Sequence, residues 1–130
     1  MNYPIRFVIP VSPVTKKNHS QIVKNKKGTF FIPSKAYREY LEMAAWYIEP
    51  LELDEPVNIC AKFYMPTKRK KIDLTNLNAG LHDALVDCRL LKDDGCLIVS
   101  GTDGSRVYYD KDNPRTEVII TPMRDYNPFD

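Results

Sequence analysis

From Val57 to Met65 apolar and polar residues alternate: Val57, Ile59, Ala61 and Phe63 take one set of positions, Asn58, Cys60, Lys62 and Tyr64 the other. A period of two predicts a strand with one buried face, and Pro66 ends it. Ile5, Phe7 and Ile9 repeat the pattern in a first strand within 4–11, which Pro10 and Pro13 close near a sheet edge. Short strands are predicted around Leu97 to Val99, over Arg106 to Tyr109 (RVYY) and over Glu117 to Thr121. Gln21 to Val23 and Thr29 to Ile32 flank the turn residues Asn25-Lys-Lys-Gly28 and predict a hairpin.

Two stretches change period. Tyr37, Leu41, Ala44 and Ile48 recur at helical spacing, so a helix is expected over about 35–49, with Ser34 as its N-cap and Pro50 at its end. Tyr40 and Trp46 lie on it and are expected to pack rather than to stack on a base. Leu77, Leu81, Ala84, Leu85 and Cys88 form the apolar stripe of a second helix, starting near Leu74 with Asp73 or Thr75 as cap. Asn76, Gly80, Asp83 and Asp87 line a neighbouring stripe. The order of elements predicts an α/β (α+β) fold, a mixed sheet with two helices mainly on one face.

The chain has 130 residues, 43% of them apolar, which suits a single domain over 1–130 with one core. Residues 123–130 carry no readable pattern and are expected to be a flexible tail. No stretch approaches the roughly 20 apolar residues of a membrane span, so the expectation is a soluble protein without a membrane partner. The start, MNYPIRFVIPVSP, lacks the layout of a secretory signal, which points to the cytoplasm. Cys60, Cys88 and Cys96 are odd in number and widely spaced, and they read as reduced, mostly buried thiols with Cys96 partly exposed. Neither a phosphate-binding G-x-x-x-x-G-K-S/T loop nor a G-x-G-x-x-G turn occurs, so no nucleotide cofactor is expected. His19 and His82 could be drawn into a serine triad, but there is no nucleophile elbow to support one.

The net charge of +2 says little, and its distribution says more. Residues 1–38 carry eight Lys and Arg and no acid, 39–61 carry six acids and no base, and 62–72 carry five bases and no acid. If folding joins the basic blocks they make a surface for nucleic acid; otherwise they are solvated loops. Lys16, Lys17 and Asn18 could contact phosphates in the first block. In the second, Lys68, Arg69, Lys70 and Lys71 stop one residue short of Asp73, and the stretch that follows closes on Asp93 and Asp94. Cations beside carboxylates suit phosphodiester chemistry, in which acids hold Mg²⁺ and the cations hold the polyanion. Spacing alone favours capping for Asp73, since an aspartate before a helix accepts backbone N–H bonds with or without a ligand, although one carboxylate can do both. Asp93-Asp94-Gly95 reads first as a turn, in which one acid can cap while the other points away.

In sum the chain carries K-K-N-H, S-x-x-Y, a strand ending M-P, a basic run, D-L-x-N-L-x(5)-D-A-L, D-D and D-K-x-N-P-R-T-E. That order resembles the RusA family of Holliday junction resolvases, common in phages and prophages, over about residues 5–121. The resemblance implies a small homodimeric endonuclease, Mg²⁺-dependent with Mn²⁺ as a substitute, that cuts four-way DNA junctions by paired symmetric breaks. It places Asp73 and Asp94 at catalytic, metal-holding aspartates, Asn76 at the asparagine of the D-x-D-N signature, and Asp83 at a supporting position. The basic run matches the family's Arg-rich approach to the site.

Two positions depart from the family. Thr75 stands where the signature has its second aspartate, and Ala79 where a lysine commonly follows. A hydroxyl is a weaker Mg²⁺ ligand than a carboxylate, so another acid must serve or activity falls; Asp103 and Asp93 are the replacements to test. Two other functions stay open on the sequence: a junction-binding relative without cleavage, and a phage regulatory module whose acidic block contacts a basic partner.

Overall fold

The computed structural model describes residues 2–15, 20–69 and 71–129, with 20–23, 30, 31 and 33 described by backbone alone. Strand β4, Val57–Met65, is the sheet's central member. Its odd residues are buried and its even residues half-buried throughout, as the alternation requires. On one side it pairs antiparallel with β7, Arg115–Pro122, which pairs in turn with β1, Ile5–Ile9. On the other it pairs in parallel with two short strands, β5 (Val99–Gly101) near its start and β6 (Arg106–Tyr109) near its end. A separate hairpin joins β2, Ser20–Asn25, to β3, Gly28–Pro33, around the expected turn.

The helices are α1, Lys35–Ala44, and α2, Leu74–Asp87. Their buried residues, Tyr40 and Ala44 from α1 and Leu77, Leu81, Ala84 and Leu85 from α2, share one cluster with Val57, Ile59, Ala61, Phe63, Val118, Ile120 and Ile9. Both helices therefore cover the odd face of β4. The even face, with Asn58, Cys60, Lys62 and Tyr64, carries neither. Tyr37 joins the two helices by donating its hydroxyl to Asp87 at 2.5 Å, and burial together with that bond pushes the Tyr37 pKa up.

The expectations that change are local. α1 ends at Ala44 rather than near Glu49, because Trp46 and Tyr47 donate their N–H groups to Met43 and Ala44, three residues back, and tighten the last turn. Ile48 is still buried, but Trp46 turns outward and is 84% exposed, against the expectation that it packs. β5 starts at Val99, where a strand had been expected to finish, since 95–98 form a turn closed by Ile98 and Val99 N–H bonds to Gly95. Cys60 and Cys88 are only half-buried and Cys96 is exposed, all three free.

The edge beside β4 is one interrupted strand. Between β5 and β6 the chain leaves the sheet, and Ser105 fills the gap: its Oγ accepts from Ala61 N–H and donates to Ile59 C=O, so β4 keeps its backbone partners. Gly104 takes φ +88° in this turn, and a Cβ there would come 3.0 Å from Cys60 Sγ.

Leu81 is the central residue of the α2 stripe and is 1% exposed. Leu81→Ala is expected to destabilise the fold by about 2–5 kcal/mol, read as a lower urea midpoint with an unchanged slope.

Candidate active site

α2 begins at Asp73, which is extended and caps the helix. Its Oδ1 accepts from Thr75 N–H at 2.9 Å and Asn76 N–H at 3.4 Å, and its Oδ2 accepts from Asn76 Nδ2 at 3.3 Å. The capping role is therefore real, and Asn76 adds a side-chain contact that fixes the carboxylate's rotation. Three of the carboxylate's four acceptor positions are thus used, one on Oδ2 is left, and the residue is exposed. The basic run leads straight into it: Lys68, Arg69 and Lys71 are exposed on the connection from β4, and Ile72 N–H bonds back to Arg69 C=O. Lys16, Lys17, Asn18 and Lys70 lie outside the described residues.

The other end of α2 fixes the second acid. Arg89, just past the helix, takes φ +65°, Arg89 N–H bonds to Val86 C=O and Leu90 N–H to Leu85 C=O, the double closure that usually carries glycine. Glu52 opposite it also has positive φ, 50°. The two zip together: Glu52 N–H donates to Arg89 C=O, Leu53 N–H to Leu90 C=O and Lys92 N–H to Leu53 C=O, while Arg89 Nη2 meets Glu52 Oε1 at 2.8 Å. That zipper delivers the chain to Asp93 and Asp94. Asp93 Oδ2 accepts from Gly95 N–H at 3.2 Å and caps the turn. Asp94 lies within electrostatic reach of His82, so the two neighbouring carboxylates have different surroundings.

Asp73 and Asp94 thus flank α2, one at each end of its run. Among the described residues no group of three or more His, Cys, Asp or Glu side chains is arranged to hold a metal ion. What the site offers a cation is separate, exposed carboxylate oxygens. Hard oxygen donors of this kind suit Mg²⁺, which keeps several waters and completes its shell with substrate phosphate.

Asp103 is placed elsewhere. Its N–H donates to Asn58 Oδ1 at 2.8 Å and its C=O accepts from Asn58 Nδ2, while the adjacent Gly104 sits over Cys60. Asn58 and Cys60 belong to the even face of β4, so this turn is held on the side of the sheet opposite the helices. Asp83 interacts with the α1 side of the molecule, contributing with Asp87 to the upward shift of Tyr37.

His82 is the site residue that sequence reasoning left without a role. Its Nε2 is buried with no hydrogen-bond partner. Burial pushes its pKa below the ordinary histidine value, against the opposing pull of Asp94 and Asp83. The unfolded chain therefore takes up a proton that the folded chain refuses. Stability is expected to fall as pH drops below about 6.5 and to level off once the folded-state value is passed. Urea midpoints across about pH 5 to 7.5 should show this slope in the native chain and a flatter one in His82→Phe.

No curated protein matches the chain. The family described as endodeoxyribonuclease RusA matches residues 10–121, from the end of β1 to the last residues of β7, and so takes in both ends of α2 and the basic run between Met65 and Asp73. Membership in that family implies Holliday junction resolvase activity, and with it an enzyme that acts on branched DNA. This chain belongs to the RusA endodeoxyribonuclease family.

Proposed function

We propose that the chain is a Mg²⁺-dependent endonuclease that resolves four-way DNA junctions in the cytoplasm, as a homodimer, by paired cuts in opposed strands. The observation that carries this reading is Asp73: an exposed carboxylate held by Asn76 and the first turn of α2, directly after three described cations. Asp73 and Asp94 would hold the ion, Mn²⁺ serving as a substitute. When bound, it would supply an activated water and offset charge on the departing oxygen.

The chain's own residues do the rest. Asn76 positions Asp73 through its side-chain amide. Lys68, Arg69 and Lys71, with Lys70, Lys16, Lys17 and Asn18, bind phosphates and set the DNA arms in register. Of the two acids considered for the carboxylate missing at Thr75, Asp93 adjoins Asp94, whereas Asp103 is bonded to Asn58 across the sheet; Asp93 is the better replacement. A four-way junction is close to two-fold symmetric, and a C₂ dimer presents one site to each of two opposed strands.

A second reading, a junction binder without cleavage, draws on Thr75, Ala79 and the absence of a three-membered acidic group among the described residues. One pair of variants separates capping, binding and cutting. Asp73→Asn keeps the cap, because asparagine caps as well as aspartate, while Asp73→Ala should lose about 1 kcal/mol of stability. Asp73→Asn is expected to bind a labelled four-way junction as well as or better than the native chain and to give no Mg²⁺-dependent nicks. Cutting at the native rate by Asp73→Asn would refute the assignment, and binding without nicks by the native chain in Mg²⁺ and in Mn²⁺ would establish the second reading.

A further inference from the structure

β6 lacks the alternation of buried and half-buried residues seen in β4. All four of its residues, Arg106, Val107, Tyr108 and Tyr109, are exposed, and the two tyrosines are 43% and 45% exposed at a sheet edge. Because successive side chains alternate, the two rings lie on opposite faces. Tyr108 is paired in register with Tyr64 on the even face, where the rings stack at 5.0 Å and Arg115 covers Tyr64 at 3.7 Å. Arg115 is held in turn by Asp110 and Glu117. Tyr108 is thus the outer layer of a stack whose inner ring is Tyr64.

Tyr109 is different. It pairs with Met65, the last residue of β4, on the face that carries α2, and Asp110 N–H continues the pairing to Met65 C=O. Its backbone is therefore fixed at the point where the chain leaves for the basic run. Lys68, the first cation of that run, sets its Nζ 4.9 Å from the Tyr109 ring centroid. An exposed ring on a backbone fixed by β-pairing, with a cation over one face, stands at the mouth of the loop that ends on Asp73.

A flat π surface next to phosphate-binding cations is the combination that takes an unstacked nucleobase together with its phosphate. Bases inside a continuous duplex are stacked on both faces and offer nothing to such a ring. Bases at a branch point can leave the stack. We propose that Tyr109, assisted by Lys68, stacks on a base released at the branch point of the DNA, and that this contact makes the chain prefer branched DNA to plain duplex. The inference rests on the reading of the chain as a branched-DNA endonuclease, and it names the residue that senses the branch.

The test uses the full chain in EDTA, so that nothing is cut, with four-way junctions carrying 2-aminopurine at the branch point and matched duplexes. The native chain and Tyr109→Phe are expected to change the probe's fluorescence equally. Tyr109→Ala should abolish the change and weaken junction binding by about tenfold, with duplex binding unaltered. Tyr108→Ala, which removes an equally exposed ring from the opposite face, should behave as the native chain. The proposal is overturned if Tyr109→Ala matches the native chain on junctions, loses equally on duplex, or dissociates a dimer before DNA is added. It is overturned too if Tyr108→Ala has the same effect. Failure of the native chain to bind junctions at all would instead remove the functional reading on which this one stands.

Discussion

The seating of α2 on the odd face of β4 is the constraint from which the site follows. Leu77, Leu81, Ala84 and Leu85 are buried against Val57, Ile59, Ala61 and Phe63, so the helix can neither slide nor rotate without exposing a leucine. Asp73 lies before the first turn of that helix, and Asp94 follows beyond its last. Their relative position is therefore set by apolar packing and not by any attraction between them.

Each end of α2 also solves a backbone problem with residues that carry charge. At the start, Asp73 satisfies helix N–H groups that would otherwise need water. At the finish, Arg89 accepts a backbone conformation normally left to glycine and uses its side chain on Glu52. That ion pair lies in solvent, where screening leaves it little weight. The backbone bonds between 52–53 and 89–92 matter more, since they fix the segment from which Asp93 and Asp94 project.

Much of this was legible in the chain because it is local. Alternation fixed β4, helical spacing fixed α2, and the aspartate before Leu74 announced its own cap; even the split between Asp93 and Asp94 follows from a turn motif three residues long. What was not legible depends on residues far apart in sequence. Tyr64, Tyr108 and Arg115 form one stack only because β6 and β7 flank β4 in one register. Ser105 as a stand-in for a missing strand, Glu52 against Arg89, and the face on which Asp103 lies arise in the same way. Trp46 was misjudged because helical spacing assumes the helix continues, and α1 tightens and stops before reaching it.

The departures at Thr75 and Ala79 can be weighed against this geometry. Thr75 N–H is already bonded to Asp73 Oδ1, so the side chain at 75 leaves from the first turn, immediately beside the capping carboxylate. An aspartate there would sit next to Asp73 and strengthen the hold on a divalent ion, but it would also add a negative charge to the surface that the DNA backbone must approach. Threonine weakens the first effect and removes the second, and the loss of a lysine at 79 takes away one cation from the same helix. The two changes offset in net charge. A surface altered in this paired way keeps its net charge, and with it its attraction for a polyanion.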